Sequence, residues 1–381
     1  MIKLLKNCDV YSPTHLGLRD ILLCGEKVVH IADHIDEPVG VGPVEVFDLS
    51  GRCTVPGFID QHVHMIGGGG EGGPATRTPE VQLSDVTSSG VTTIVGCLGT
   101  DGTTRHMSAL LAKARALESE GISTFIYTGA YQIPTPTITD SVRDDLILID
   151  KVIGVGELAI SDHRSAQPTT LDVLKLAAEA RVGGMLAGKP GLCHLHVGGG
   201  KRGLAPLFEI LEFSEIPITQ FTPTHCDRTP ELIKDSIRFA KMGGKVDLTA
   251  GPRTAKTVIQ MLECGTPLEN ITFSSDGNGS MPRFDDKGVL IGLGVGSLKT
   301  TFEAVRSLIL EHNWSLEKAL LPITTNVAST LLLTGKKGSI EVGADADIVV
   351  LDKSLNVSTV FARGRLMVNQ GEVVVKGTFE K

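Results

Sequence analysis

The amino-acid sequence predicts an α/β protein that consists of a TIM-type (β/α)8 barrel and a small discontinuous β-sandwich domain built from both termini. Three observations lead to this prediction. Short apolar runs separated by turn residues occupy both ends of the chain. The middle alternates apolar runs with amphipathic helical stretches, and eight such units fit into about 220 residues. A length of 381 residues suits one large barrel with a smaller module beside it.

Each end of the chain has the pattern of a meander of short strands. Because two β-rich ends that flank a long and different middle are expected to pair, we predict one β-sandwich domain from residues 1–53 and 337–381. Residues 54–336 then form the barrel domain. The strand candidates of the sandwich are residues 2–5, 21–24, 28–31, 44–47, 347–351, 357–362, 366–368 and 372–375.

The middle of the chain supplies eight strand candidates, with helical segments between them that begin or end at Gly, Pro or a capping hydroxyl. In a TIM barrel the active site lies at the carboxyl ends of the strands and in the loops after them, so these ends are where functional residues are expected. The strands are residues 54–62, 91–98, 124–129, 152–160, 192–196, 216–222, 245–249 and 271–275, and the clearest helices are residues 103–120, 171–181, 204–215, 230–242 and 255–264.

Composition excludes several classes of partner. A formal net charge of -8 and a pI near 5.8, without a basic stripe, argue against nucleic-acid binding. The first residues lack the features of a signal peptide, and no apolar run approaches the ~18 residues of a membrane helix, so we expect a soluble cytoplasmic protein without a membrane partner. The seven cysteines are odd in number and scattered, and we interpret them, Cys97 included, as small core residues.

Four histidines and two carboxylates lie at the predicted strand ends. His62 and His64 share one face of the first strand because strand side chains alternate. This set of residue types at one mouth is what a two-metal hydrolytic centre requires, since imidazoles and carboxylates bind divalent ions and a carboxylate bridges them. A hydrogen-bonded structural role is the alternative for any single histidine. The six candidate ligands are His62, His64, Glu157, His196, His225 and Asp276.

Such a centre would carry out hydrolysis. A hydroxide that bridges the two metals would act as the nucleophile, and Asp276 would take up its proton as general base and pass it to the leaving nitrogen as general acid. The barrel is therefore predicted to be a metal-dependent catalytic domain.

Two glycine-rich segments carry less information about function. The run that begins at Gly67 is not followed by GK[ST], so it does not match the phosphate-binding P-loop. Residues 292–296 are predicted to form a loop over the barrel mouth.

Several segments resemble the amidohydrolase superfamily and, within it, the isoaspartyl dipeptidase (β-aspartyl peptidase) family. The HxH pair and the late aspartate are shared across the superfamily, whereas GGGGE, SDHR and SDGNGS are narrower signatures of the dipeptidase family. The similarity covers nearly the whole chain. The segments that carry it are GFIDQHVHMIGGGGEGGPATRTPE (57–80), GVTTIVGCLGTDG (90–102), AISDHRSA (159–166), PTHCDR (223–228) and SSDGNGS (274–280).

The resemblance implies a role for each matching residue. The metal ligands would be His62, His64, His196, His225 and Asp276, holding two divalent ions, most commonly zinc. Tyr131 would polarise the scissile carbonyl and stabilise the oxyanion. Residues that would bind the substrate are Glu71 and Ser280 for the α-amino group, the Gly69 backbone and Thr100 for the α-carboxylate, and Arg164 and Arg228 for the carboxylate of the second residue. The resemblance also implies a homo-oligomer, with an octamer as one form.

One departure from the family concerns the bridge between the metals. Commonly described members use a carbamylated lysine on the fourth strand, whereas residues 155–159 of this chain contain no lysine and the segment is one residue longer. We expect Glu157 to replace the lysine, with the extra residue moving the backbone towards the metals. The centre would then assemble without carbon dioxide. An ordinary buried acid at Glu157, with a weak or missing second metal, is the alternative.

The predicted function is metal-dependent hydrolysis of β-aspartyl (isoaspartyl) dipeptides. An anionic group for an amine, together with cationic and amide groups for two carboxylates, suits a dipeptide whose peptide bond leaves from the aspartyl side chain. The nearest alternative is a dihydroorotase- or hydantoinase-like cyclic amidohydrolase, whose ring substrate has no free α-amine for Glu71 and Ser280. A non-catalytic barrel scaffold is the third possibility, and it would have no need for the complete ligand set.

Overall fold

Strands and helices alternate through the middle of the chain, and strands alone fill both ends. The computed structural model describes residues 1–284 and 290–381. The strands are β1 (Ile2–Tyr11), β2 (His15–Cys24), β3 (Lys27–Ala32), β4 (Val44–Asp48), β5 (Cys53–Pro56), β6 (Phe58–Val63), β7 (Val91–Gly96), β8 (Ser123–Thr128), β9 (Val152–Ile160), β10 (Leu192–Val197), β11 (Phe221–Thr224), β12 (Val246–Thr249), β13 (Ile271–Ser274), β14 (Ser280–Phe284), β15 (Leu290–Val295), β16 (Ile348–Leu351), β17 (Val357–Ala362), β18 (Arg365–Asn369) and β19 (Glu372–Val373).

The helices lie mainly between the central strands, and capping residues set several of their limits. They are α1 (Leu83–Thr87), α2 (Met107–Glu120), α3 (Val142–Leu148), α4 (Thr170–Ala187), α5 (Ala205–Phe213), α6 (Pro230–Lys241), α7 (Thr254–Glu263), α8 (Lys299–Leu310), α9 (Leu316–Leu320) and α10 (Thr325–Thr330). Helix α4 begins at a capping box between Thr169 and Asp172 and ends at Gly188, whose φ of 64° suits a residue without a Cβ. Among the described helices, none is both long and apolar enough to cross a membrane.

The central strands run parallel to one another. Strands β6 to β11 form one sheet in chain order, and β12 pairs with β13. Two links join this pair to the edges of the larger sheet. The amide of Cys226, after β11, donates to Asp247 O in β12 at 3.1 Å, and the amide of His64, after β6, donates to Gly277 O, after β13, at 2.8 Å. The carboxyl ends of the eight strands consequently lie on the same side.

The eight predicted strands are present, and two of their limits were wrong. Residues 54–62 are not one strand, because the chain leaves one sheet and enters another at Gly57, between β5 and β6. A Cβ on Gly57 would lie 2.2 Å from Thr92 Oγ1, so only glycine allows this close approach. Residues 216–222 were also placed too early, because Ile218–Gln220 form a short 3₁₀ turn before β11 begins at Phe221.

The two ends of the chain pair with each other, as predicted. They form one nine-stranded sheet in the order β19-β18-β17-β16-β5-β1-β2-β3, with β4 pairing with β1. Strand β16 from the carboxyl-terminal part lies antiparallel to β5 from the amino-terminal part. Apolar residues from both parts, such as Leu5, Ile21, Val350 and Phe361, form a separate buried cluster. The arrangement of these strands as a two-layer sandwich stays a prediction.

Two paired strands follow the last central strand, and the second of them occupies the predicted loop. Strand β14 pairs antiparallel with β15, with Ser280 opposite Val295 and Met281 opposite Gly294. The sequence alternates Gly292, Leu293, Gly294 and Val295, which is the period of a strand. The glycines in that alternation were interpreted as a sign of a loop, and this interpretation was wrong.

Candidate functional site

The six predicted metal ligands lie together at the carboxyl ends of the central strands. His62 is in β6, Glu157 in β9 and His196 in β10, while His64, His225 and Asp276 follow β6, β11 and β13. Five of the six are buried in the fold; Asp276 is partly exposed. His225 and Asp276 have φ angles of 60° and 52°, in the left-handed region that side chains with a Cβ seldom occupy. Backbone conformations of this kind concentrate at functional sites, where the surrounding structure enforces them.

Glu157 stands between two pairs of histidines. Its Oε2 lies 3.4 Å from His62 Nε2 and 3.9 Å from His64 Nε2. Its Oε1 lies 2.8 Å from His196 Nδ1 and 3.0 Å from His225 Nε2. Each carboxylate oxygen therefore faces a different pair of imidazoles, which is the geometry that a bridging ligand needs.

Asp276 lies beside the first of these pairs. Its Oδ1 is 3.0 Å from His64 Nε2 and 3.6 Å from His62 Nε2. Burial raises the pKa of this carboxyl, but the hydrogen bond from His64 and the nearby imidazole charges outweigh burial and lower the pKa below its usual value. Asp276 is thus an ionised carboxylate directed at the same nitrogens as Glu157 Oε2.

A β-bulge brings Glu157 to this position. Cys193 of β10 pairs with Val155, and Leu195 pairs with Leu158. Between these two pairs β10 has one residue and β9 has two, so β9 contains one extra residue. Gly156 and Glu157 occupy the additional length. A Cβ on Gly156 would lie 2.6 Å from the carbonyl oxygen of His194, so glycine is required there. Bulges redirect side chains beside active sites, and this one agrees with the extra residue predicted for the segment.

The donor set fits divalent metal ions. Among the described residues, His62 Nε2 and Glu157 Oε2 are buried side-chain atoms without a hydrogen-bond partner, although they face each other. Burying polar atoms without partners costs free energy, whereas a cation between them would satisfy both. Two groups of potential ligand atoms share Glu157, each with its atoms within 4.8 Å of one another: His62, His64, Cys97 and Glu157, and Glu157, His196 and His225.

The protonation of the cluster favours metal binding by Glu157. Burial raises the pKa of this carboxyl, but the charges of His62 and His196 outweigh burial and hold the pKa well below its usual value. For His194, burial and the neighbouring His62 lower the imidazole pKa to about 3. Glu157 is therefore an ionised carboxylate, and His194 is a neutral ring in the same cluster.

A second layer of side chains orients the histidine rings. His194 Nε2 lies 3.0 Å from His62 Nδ1, Asp162 Oδ2 lies 2.9 Å from His196 Nε2, and Thr249 Oγ1 lies 2.6 Å from His225 Nδ1. Partners of this kind fix the ring nitrogen that faces a metal.

The sequence did not predict these three roles, although each residue gave a signal. His194 lies two residues before His196, so alternation places both on the same face of β10. Asp162 belongs to the SDHR segment but was given no role of its own. Thr249 ends β12, and its position at a strand end was the only sign available.

The predicted amine-binding residues lie at the edge of the centre. Glu71 Oε1 accepts hydrogen bonds from Thr100 Oγ1 at 2.8 Å and from Arg164 Nη1 at 3.2 Å. Gly69 packs against Ser280, and a Cβ on Gly69 would lie 2.9 Å from Ser280 Cβ. Within the described residues, Glu71 bonds to Thr100 and Arg164 and not to Ser280, its predicted partner in amine binding. A cavity of about 440 Å³ beside Glu71 is lined by Gly69 and Thr100.

Tyr131 and the two predicted arginines gather around His196. Tyr131 Oη lies 2.6 Å from His196 Nδ1, and its pKa is raised well above the usual value by burial and by Glu157, so the phenol is neutral. Arg164 Nη2 and Arg228 Nη1 lie 3.2 and 2.9 Å from His196 Nε2. A neutral phenol, two guanidinium groups and an ionised carboxylate thus surround the candidate metal ligands.

A parallel α/β sheet with buried histidines and carboxylates at its strand ends defines a hydrolase of the amidohydrolase class, and residues 225–367 match the amidohydrolase family. The structure of a beta-aspartyl dipeptidase from Fervidobacterium islandicum AW-1 in complex with beta-Asp-Leu dipeptide is 46% identical in sequence, with 98% of each chain covered and a TM-score of 0.91. The chain belongs to the β-aspartyl dipeptidase family within the amidohydrolases. The family predicted from the sequence motifs is confirmed.

More distant similarities extend to other amidohydrolases. A dihydroorotase from Listeria innocua is 24% identical, with 97% of this chain and 95% of the dihydroorotase covered. The structure of a dihydropyrimidinase from Brevibacillus agri NCHU1002 has a TM-score of 0.63 at 17% identity, with 99% and 97% of the two chains covered, and it shows a shared fold.

Proposed function

We propose that this protein hydrolyses β-aspartyl (isoaspartyl) dipeptides in a metal-dependent reaction. The observation that carries the proposal is one carboxylate, Glu157, facing two pairs of imidazoles, with Glu71 and Arg164 at the edge of the same centre. The relative of 46% identity is described in complex with a β-Asp-Leu dipeptide, which supports the same substrate class for this chain.

Two divalent ions, zinc in our proposal, would be held by two ligand groups that share Glu157. His62, His64 and Asp276 would complete the first group, and His196 and His225 the second. When bound, such ions lower the pKa of a water molecule and polarise the scissile carbonyl. Glu157 would supply the shared carboxylate from the chain itself, so assembly would not require carbamylation by carbon dioxide.

The chain's own residues would then move the protons and stabilise developing charge. Asp276 would accept a proton from the attacking water and deliver it to the amide nitrogen as the carbon–nitrogen bond breaks. The neutral phenol of Tyr131 would donate a hydrogen bond to the carbonyl oxygen as it becomes negative. The products are aspartate and the free second amino acid.

The residues at the edge would select the substrate by its charges. Glu71, with Ser280, would bind the α-amino group, while the Gly69 amide and Thr100 would bind the α-carboxylate. Arg164, with Arg228, would bind the carboxylate of the second residue, because a guanidinium binds a carboxylate with two parallel hydrogen bonds. A substrate without one of these groups would leave a charged side chain without its partner, and this penalty gives selectivity.

The proposal also covers the domain architecture of the chain. We propose that β6 to β13 close into a TIM-type barrel, supported by the hydrogen bonds that link β12 and β13 to both edges of the six-stranded sheet. Residues 54–336 would be the catalytic domain, and residues 1–53 with 337–381 the β-sandwich domain. We also propose a homo-oligomer, as the family resemblance implies.

Hydrolysis of β-Asp-Leu, α-Asp-Leu and dihydroorotate by the zinc-loaded protein tests the function. We expect cleavage of β-Asp-Leu only, and we expect the Glu71→Gln variant to lose most of it. Glu80→Gln is the matched control, because Glu80 is exposed and pairs with Lys113 outside the site. The proposal would be contradicted if the protein opened the ring of dihydroorotate equally well with and without Glu71→Gln and did not cleave β-Asp-Leu. That result would favour a cyclic amidohydrolase.

A further inference from the structure

Cys97 lies against the first group of candidate metal ligands. It follows β7 directly and is fully buried. Its amide donates to Val63 O at 3.1 Å, which fixes the backbone beside the end of β6. Its Sγ lies 3.8 Å from Val63 O and 3.9 Å from His64 Nδ1. The thiol therefore lies at the histidine pair, on the border of a buried apolar cluster that includes Ile59 and Val95.

Two independent observations place Cys97 among ligands. Potential ligand atoms of Cys97, His62, His64 and Glu157 all lie within 4.8 Å of one another. In the described part of the chain, His62 Nε2 and Glu157 Oε2 are also buried atoms that lack a hydrogen-bond partner. A sulfur atom within 4.8 Å of a ligand atom from each of these residues adds sulfur to their nitrogen and oxygen donors, and such a mixed set is typical of zinc.

Two other buried cysteines, Cys193 and Cys226, differ from Cys97. Cys226 Sγ lies 3.3 Å from Pro223 O. Cys193 is buried in β10. Among the described residues, neither of these two belongs to a group of potential metal ligands, whereas Cys97 does.

We propose that Cys97 binds, as a thiolate, the metal ion held by His62, His64, Glu157 and Asp276. This inference rests on the metal dependence of the proposed function. On binding, the sulfur–hydrogen bond would break, the proton would pass to solvent, and the sulfur would donate an electron pair to the metal. A thiolate favours softer ions such as zinc, cadmium or cobalt over magnesium or manganese, so Cys97 would help to select the metal.

Spectroscopy of the metal-loaded protein tests this ligand without relying on activity. The purified protein, freed of metal, would be loaded with cobalt(II), and the thiolate-to-cobalt charge-transfer band would be recorded in the near ultraviolet. We expect the band in the wild type and in Cys193→Ser, the matched control, and its loss in Cys97→Ser. On the zinc-loaded wild type, X-ray absorption should show a sulfur neighbour at about 2.3 Å from zinc, which needs no variant.

The outcomes separate this inference from the proposed function. Two outcomes would overturn the ligand role of Cys97. In the first, the charge-transfer band persists in Cys97→Ser. In the second, the wild type binds cobalt without the band and binds zinc without a sulfur neighbour. Hydrolysis of β-Asp-Leu by that same wild type would leave the dipeptidase proposal intact. The band and the sulfur neighbour in a protein that cleaves no dipeptide would support the ligand role and contradict the dipeptidase proposal.

Discussion

Replacing Glu157 by glutamine tests whether one carboxylate serves both groups of metal ligands. The change keeps the size of the side chain and removes its charge. Because Oε2 lies 3.4 Å from His62 Nε2 and Oε1 lies 3.0 Å from His225 Nε2, an ion held by either histidine would be within about 4 Å of the carboxylate. At that separation two unit charges attract by about 4 kcal/mol at an effective dielectric constant of about 20.

The expected loss of metal affinity follows from this attraction. A divalent ion doubles it to about 8 kcal/mol, and desolvation of the buried carboxylate cancels much of the gain. We expect a net loss of about 4 kcal/mol, which weakens zinc binding by about 10³-fold.

Competition with a zinc-binding dye measures this change directly. The metal-free wild type, Glu157→Gln and the control Glu209→Gln would be titrated with zinc in the presence of the dye. Glu209 is a suitable control because it lies on the surface of α5 and pairs with Arg202, outside both ligand groups. Binding of two zinc ions by Glu157→Gln with affinities within about tenfold of the wild type would refute the bridging role.

Three further variants test other parts of the account. Tyr131→Phe should lower kcat for β-Asp-Leu by about 10²- to 10³-fold with little change in KM, and steady-state kinetics that show a change in KM alone would contradict its role at the carbonyl. Asp162→Asn should weaken zinc binding by about 10- to 100-fold, because Asp162 Oδ2 lies 2.9 Å from His196 Nε2 and orients that ring; an unchanged affinity in the dye assay would argue against this. Lys337→Ala should lower the free energy of unfolding by about 3–5 kcal/mol at neutral pH in urea titrations, because Lys337 is buried and its Nζ lies 2.8 Å from Asp345 Oδ2. Burial lowers the pKa of Lys337, but the neighbouring aspartates outweigh burial and raise it, so this stabilisation is full below pH about 10 and is lost as the pH rises through the folded-state pKa. If the difference in the free energy of unfolding between Lys337→Ala and the wild type stayed constant above pH about 10, the ion pair would be contradicted.

Much of the fold was predictable because the period of apolar residues depends on local backbone geometry. Strand β9 was predicted with its observed limits. Every residue from Val152 to Ile160 is buried, and a strand that is buried on both faces has mostly apolar residues along its whole length. The division at Gly57 was not predictable, because it depends on Thr92 and Asp347, which are distant in sequence. The pairing of β14 with β15 was missed because glycine in a strand resembles glycine in a loop.

The candidate site shows the same limit. Candidate ligands at strand ends were predicted from position and residue type, because the carboxyl ends of parallel strands lie at the same edge of the sheet. The partners of those ligands were not. Asp162 reaches His196 through a turn in which Ser161 has a φ of 53°, and Cys97 contacts His64 from the end of the neighbouring strand. Contacts of this kind arise from loop conformation and strand order rather than from spacing in one segment.

The ion pair between Glu71 and Arg164 was also beyond sequence reasoning. The two residues were assigned to opposite ends of the substrate, yet they bond to each other at 3.2 Å in the structure. Each is about one-third exposed, so exchanging this pair for the charged groups of a dipeptide would cost little.

Reconstitution of the metal-free protein with zinc in buffer free of carbon dioxide and bicarbonate tests the central claim most directly. Hydrolysis of β-Asp-Leu would be followed as zinc is added. A dipeptidase whose metals share Glu157 should gain activity up to two zinc ions per chain and should gain nothing further from bicarbonate. Activity that appears only after bicarbonate is added, or a protein that holds two zinc ions and leaves β-Asp-Leu intact, would contradict the account.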